Sequence, residues 1–365
     1  MKASLRLPCA AVAVVALCAS AAGQQQRPEI LTPSGTLPLL DSYLESLRQQ
    51  SGIPGMSAAI VRDGSIIWEK GYGYRDVAAR IPATPDTPYL VGDLSGTLAA
   101  TLLLQCVEER RLTLDEPVGA HGLTQPEPEA TLRGLLTHAA PDGSKGPFLY
   151  SSERYANLTA LTEWCAPQPY RKSVAHRILD RLAMIDSVPG TDLKDPNLEL
   201  PDGLFDPADI EKYRHTLESL AVPYKVDGRK RADRTDVPLL PMTAANGLVS
   251  TVRDLAKFDM ALVPEPPVLL LPETLDAAWT PAIGRDGAPM PTGLGWFVQY
   301  YNGDRLVWHF GYVPNAYSSL LLKIPSRNLT FILLANSDGL SAPFQLSSGD
   351  VTRSLFATVF LKLTS

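Results

Sequence analysis

The sequence predicts a mixed α/β fold of the α+β kind. One antiparallel sheet is assembled from both ends of the chain and flanked by terminal helices, with a mostly helical region inserted between. Three observations predict it. Strand-like runs gather near the two ends of the chain, helical periodicity opens and closes it, and the middle mixes helical segments with many proline-broken loops.

Residues 36–50 carry Leu40, Tyr43, Leu44 and Leu47 at helical spacing, and Gly52-Ile-Pro-Gly55 stops that helix. Residues 56–62 and 65–68 then read as two strands around Asp63-Gly64, a pair suited to the positive φ of a tight hairpin turn. Pro82, Pro85 and Pro88 mark a change of architecture. A long apolar helix follows over residues 93–111, with Leu94, Leu98, Leu102 and Cys106 on one stripe. Strands return at 305–310, 316–324 and 329–335, rich in β-branched and aromatic residues and separated by turn chemistry. Residues 351–363 close the chain as an apolar-faced helix. The expected organisation is one domain over residues 30–365, with 34–84 and 292–365 forming the α/β part and 85–291 the helical part.

Length and composition fit this scheme. A chain of 365 residues with 45% hydrophobic and 20% charged residues is an ordinary globular protein. Its net charge of −6 argues against nucleic acid as a partner, since phosphate binding needs clustered positive charge. Arg229-Lys230-Arg231 with Arg234 is the basic run, and its polar setting after Gly228 reads as a solvated loop. No cofactor or metal is indicated, because Cys-x-x-Cys and His-x-x-x-His spacings do not occur.

Residues 1–23 read as a secretory signal: Lys2 and Arg6, an apolar run from Cys9 to Ala19, then small residues from Ser20 to Gly23. The run is shorter than the roughly 20 apolar residues that span a bilayer, and no later stretch is long enough. The mature protein is therefore expected outside the cytoplasm, in the periplasm or medium. Leu17 before Cys18 is bulky where a lipid-anchor signal wants a small residue, so no lipid anchor is expected. Cys106 and Cys165 remain after cleavage. They are open to pairing in an oxidising compartment or to burial as free thiols.

The order of motifs along the chain is distinctive. Gly52-Ile-Pro-Gly55, Val61-Arg-Asp-Gly64, Gly71-Tyr-Gly73 and Thr87-Pro-Tyr89 precede a helix ending in Val107-Glu-Glu-Arg-Arg-Leu-Thr-Leu-Asp115. Leu135-Leu-Thr-His138, then Ala245-Asn-Gly-Leu-Val-Ser-Thr251 with Asp254, Gly293-Leu-Gly-Trp296 and His309-Phe-Gly311 follow. From about residue 35 onward this series resembles the class C β-lactamase-like serine hydrolases, with their related esterases, penicillin-binding proteins and D-alanyl-D-alanine peptidases. The resemblance implies the serine β-lactamase/transpeptidase-like fold. It also implies acyl transfer through a Ser-x-x-Lys pair, a Tyr-x-Asn loop, and a Lys/His-x-Gly strand that supplies part of an oxyanion hole. Residues three apart on a helix share a face, which is why an amine there can take the hydroxyl proton.

Carried over residue by residue, this pattern puts Asp93 in the place of the serine and Gly96 in the place of the lysine. Tyr150-Ser-Ser152 falls on the second motif, with Ser152 replacing asparagine and Tyr155 following. His309-Phe-Gly311 matches the third, and Tyr312 after it gives the second oxyanion N–H. Loss of a nucleophile in such a site lowers kcat by about 10⁶-fold, and loss of a positioned base by about 10²–10⁴. An ionised Asp93 at ~4 Å from a developing oxyanion would add about 4 kcal/mol of repulsion at an effective dielectric near 20. Asp93 also reads as a helix N-cap, the bland role for an aspartate at this point. His138 reads as structural.

No other serine takes over by sequence. Ser95 lies about 200° further round the helix than Asp93, and Ser144 sits in a segment where Asp142 replaces the first glycine of a Gly-x-Ser-x-Gly elbow. The expectation is a pseudo-hydrolase whose cleft (Asp93, Tyr150, Ser152, His309, Gly311 and Tyr312) holds a small-molecule or peptide ligand, of cell-wall type, or a protein partner. The alternative is an ester or amide hydrolase of altered mechanism, in which His309 activates water and Asp93 orients it.

Overall fold

The computed structural model describes residues 35–121, 127–141, 146–263 and 266–364. The expected signal segment with Cys18, and Asp142 to Lys145 with Ser144, lie outside the described residues.

The sheet grows from the hairpin predicted around Asp63-Gly64. Strands β1 (Gly55–Arg62) and β2 (Ser65–Asp76) pair antiparallel, and both turn residues have positive φ, 48° and 72°. This is the backbone shape that matches strand twist in a two-residue hairpin. Strand β2 runs eight residues past the predicted end and pairs with β3 (Ile81–Pro82). Short strands β4 (Tyr89–Leu90), β5 (Val188–Pro189) and β8 (Leu248–Ser250) form a small second sheet. Strands β6 (Tyr224–Val226) and β7 (Ala232–Arg234) form a hairpin whose exposed turn carries Arg229, Lys230 and Arg231.

The C-terminal third supplies β9 (Phe297–Tyr301), β10 (Asp304–Val313), β11 (Tyr317–Ile324) and β12 (Leu329–Ala335). The main sheet has the order β3-β2-β1-β12-β11-β10-β9, so the first and last long strands meet at its centre, with Met56 opposite Ala335. Its antiparallel pairing and its assembly from both ends follow the prediction. Strand β9 was not legible in the sequence, since Phe297 to Tyr301 follows directly on the glycine-rich Gly293-Leu-Gly-Trp296 without a separating turn signal.

Side chains alternate between the two faces of the sheet, as the two-residue period of a strand requires. On one face Ala58, Ile60, Leu320, Leu322, Phe331 and Leu333 pack under the terminal helices Leu37–Ser51 and Leu355–Thr364. The stacked rings of Phe331 and Phe360, 4.5 Å apart, fix the second of these. On the other face Ala59, Val61, Val307, Leu321, Ile332 and Leu334 meet the helical region. The sheet thus divides the buried residues into two layers.

The helix predicted at 93–111 begins differently. Gly92–Ser95 is a tight 3₁₀ turn, and the α-helix runs from Gly96 to Glu108. All of its residues from Gly96 to Cys106 are buried, each leucine contributing about 1.5–3 kcal/mol by burial. The last segment also splits, into a 3₁₀ turn at Val351–Arg353 and the helix Leu355–Thr364, because Ser354 between them is extended. Among the described residues no helix is long and apolar enough to cross a membrane.

Cys106 near the end of the Gly96–Glu108 helix is bonded to Cys165 at the end of the helix Leu158–Cys165, with Cα atoms 6.3 Å apart. The sequence left this pairing open. It closes a loop of 59 residues, a constraint on the unfolded chain of about 4 kcal/mol. Reduction, or the Cys106→Ala/Cys165→Ala pair, is expected to move the urea unfolding midpoint down accordingly. Equal midpoints for oxidised and reduced protein would show that the bridge contributes no stability.

Candidate functional site

The site forms where the 3₁₀ turn meets the end of β10 that β9 leaves uncovered. Strand β9 pairs with β10 only as far as Trp308, so residues 309–313 of β10 have a free edge on that side. The turn Gly92–Ser95 packs there. Contact this close requires glycine twice. A Cβ at Gly311 would lie 1.8 Å from the Val91 carbonyl oxygen, and one at Gly92, whose φ is +61°, would lie 2.7 Å from the Tyr312 nitrogen. The Ser319 hydroxyl donates to the Val91 carbonyl at 2.8 Å and holds the turn in place.

This approach brings together the residues picked out by the motif series. Asp93, Tyr150, Ser152 and His309 line one small cavity, joined by His138, Tyr155 and Ala245. Its free volume is about 10 Å³, room for about one water. Gly311 shapes the junction just described, and Tyr312 contributes its backbone N–H while its side chain lies on the surface. Gly96 offers no side chain, and the Tyr155 ring passes 3.1 Å from where its Cβ would be.

The Asp93 carboxylate is the centre of the site, and its orientation corrects the N-cap expectation. It makes no side-chain cap to the helix that follows. One oxygen, Oδ2, accepts from the backbone N–H of Tyr312 at 3.2 Å, and Asp93's own N–H lies near enough to favour the ionised carboxylate. The other, Oδ1, accepts from the Ser152 hydroxyl, and the Tyr150 phenol faces the group as well. The helix N-terminus loses the contest because the strand edge offers an N–H that nothing else in the sheet uses. The Tyr312 N–H is the donor the resemblance assigned to the oxyanion hole, and the Asp93 carboxylate occupies it.

Burial raises the carboxyl pKa from 3.8 to about 7, against the opposing pull of the Tyr312 and Asp93 N–H groups and the Tyr150 phenol. The same burial, with the Asp93 charge next, holds the Tyr150 phenol well above its ordinary value. Tyr150 thus stays protonated at neutral pH. Its ring is packed against Phe297 and Phe310, at 5.6 and 5.3 Å.

Both histidines are buried and neutral. Burial lowers His309 to about 4, and burial, then the neighbouring His309 and Arg154, lowers His138 to about 3. His309 donates from Nδ1 to the Phe310 carbonyl at 2.7 Å, which leaves Nε2 as its acceptor. The Asp93–His309 pair contemplated from the sequence is not formed, since the carboxylate bonds lead to Ser152 and to backbone N–H groups. His138 takes a left-handed φ of 52° and accepts from the Ser151 N–H at 3.3 Å, with its ring stacked on Tyr155. It thereby sets the loop that carries Tyr150 and Ser152. The sequence treated His138 as structural without placing it at the cavity, although its Leu-Leu-Thr-His motif was a usable signal.

Ser95 is buried and turned away, donating to the Gly92 carbonyl and accepting from the Leu248 N–H. Thr251 and Asp254 of the Ala245 motif serve a helix start, where Thr251 accepts from the Asp254 N–H. The Asp254 carboxylate there accepts from Ser187 and Lys257.

The chain belongs to the Beta-lactamase family, whose model it matches over residues 40–347. The Bacillus subtilis protein PbpX is 25% identical over 285 residues, which are 71% of this chain and 64% of PbpX, so the chain spans under two thirds of that relative. An octameric penicillin-binding protein homologue from Pyrococcus abyssi superposes with a TM-score of 0.70 at 24% identity, covering 89% of this chain and 77% of its own. A class C β-lactamase from Rhodobacter sphaeroides gives 0.65 at 18% identity, covering 88% and 99%. These likenesses establish the serine β-lactamase/transpeptidase-like fold.

The buried carboxyl makes stability depend on pH in a defined direction. Its folded pKa is raised, so its contribution is present below about 3.8 and is lost as pH climbs through about 7. The full loss is roughly 4 kcal/mol at ~1.4 kcal/mol per pKa unit. Wild type should therefore lose stability relative to Asp93→Asn as pH is raised across that window. Parallel curves of Tm against pH for the two proteins would show that Asp93 does not titrate there.

Proposed function

We propose that this protein is an exported, non-catalytic member of its family, a pseudo-hydrolase that binds a ligand or partner without acyl transfer. One observation carries the reading: the oxyanion position is filled by the protein's own carboxylate. Acyl transfer needs a nucleophile and a vacant set of donors for the developing charge. Here Asp93 replaces the nucleophile and occupies the donors at once. Gly96 brings no amine, and Tyr150 is held protonated.

The same geometry weighs against the hydrolase of altered mechanism. Water activated by His309 would still generate an oxyanion, and the Tyr312 N–H that would receive it is engaged by Asp93. The space beside Asp93, about 10 Å³, is too small for an organic ligand, so the proposed ligand would bind outside it. A peptide or small molecule of cell-wall type, or a partner protein, suits such a surface. The ligand would be neutral where it meets the base, because the carboxyl there is buried and only partly ionised at neutral pH. Export is supported by the signal-like residues 1–23 and by the Cys106–Cys165 bridge, which an oxidising compartment maintains.

The test is covalent labelling. Intact-mass analysis after exposure to a fluorophosphonate or to penicillin should find unmodified protein, with an active family member labelled in parallel. A stoichiometric adduct on any serine of the cleft would overturn the proposal.

A further inference from the structure

We propose that Asp93 is an intramolecular plug in an otherwise competent anion receptor, and that the receptor accepts a small external carboxylate once the plug is removed. This deepens the reading above and rests on it. It adds that the donor set has been filled and not dismantled.

The donors around the carboxylate divide into two kinds. Two are backbone N–H groups, of Asp93 and Tyr312, and these exist whatever side chain stands at 93. The other two belong to different residues, the Ser152 hydroxyl and the Tyr150 phenol. Replacing Asp93 by alanine therefore removes the occupant and leaves all four donors. Their directions are set elsewhere: Ser319 holds the turn at Val91, His138 holds the Ser151 N–H, and Phe297 and Phe310 hold the Tyr150 ring. Buried N–H groups left without an acceptor are costly, so the emptied site favours a small carboxyl group of the right size, partly protonated there as the Asp93 carboxyl is. The surroundings carry no competing charge, since His138 and His309 are neutral and Tyr150 and Tyr155 remain protonated. Arg154, which influences His138, is engaged by Glu127 and the Ala139 carbonyl. The Tyr312 side chain lies at the surface.

Size gives the site a signature. Alanine at 93 removes only the carboxylate, and formate restores it. Glycine removes the methylene as well, and acetate restores both. Thermal unfolding is measured for Asp93→Ala, Asp93→Gly and Asp93→Asn at constant ionic strength, with chloride replaced by formate or acetate. Formate at about 100 mM should raise the Tm of Asp93→Ala by roughly 2–3 °C, and acetate should do the same for Asp93→Gly. Asp93→Asn keeps a side-chain oxygen in the hole and should respond to neither anion. If the alanine or glycine variant is recovered unfolded, refolding yield with and without the matched anion gives the same answer. Failure of both matched anions overturns the plug, as does an equal response in Asp93→Asn. Neither result bears on penicillin labelling of the wild-type chain, so the two proposals fail separately.

Discussion

The contact between the Val91–Gly92 turn and the free edge of β10 is the constraint on which the site depends. Two backbones meet there with no side chain between them, and Ser319 ties the turn to the neighbouring strand from below. That contact points the Tyr312 N–H at the residue after Gly92. Whatever occupies position 93 is presented to an otherwise unpaired donor in a buried setting. An aspartate in that place does what its chemistry dictates, turning its carboxylate toward the strand instead of capping its own helix. The rest of the site follows. Ser152 and Tyr150 converge on the carboxylate from the facing loop, and His138 keeps that loop in register.

Much of this was written in the sequence, and the parts that were not have physical reasons. Asp63-Gly64 announced its hairpin because few residue pairs tolerate positive φ twice. The strands at 316–324 and 329–335 were visible through their β-branched and aromatic content. The grouping of Asp93, Tyr150, Ser152 and His309 was legible only through the ordered motifs, since these residues lie on separate elements up to 216 positions apart. The direction of the Asp93 carboxylate was not legible. Local propensity favours an N-cap, and the competing N–H comes from residue 312, which no local window contains. His138 was undervalued for the same reason, because its role arises from stacking on Tyr155 and holding Ser151. The bridge between Cys106 and Cys165 depends on two helices lying side by side, which spacing alone does not show.

The site is also electrically quiet. Its histidines are neutral, its tyrosines protonated, and its one carboxyl poised between forms near neutral pH. The disulfide complements it from a distance. Cys106 lies ten residues beyond Gly96, about 15 Å along the helix at 1.5 Å per residue, and Cys165 ends the helix that follows the Ser152 loop. The segments that lead away from Asp93 and from Ser152 are thus fastened to each other at their far ends.

That a donor to Asp93 belongs to the main chain has a consequence for how a hydrolase of this fold can lose reactivity. Nucleophile, base and proton carrier are each deleted by a single codon change, but a peptide N–H survives every substitution except proline. A polarising pocket made of amides is accordingly the most durable component of the machinery. Short of rebuilding the fold, it is silenced by giving it something permanent to hold.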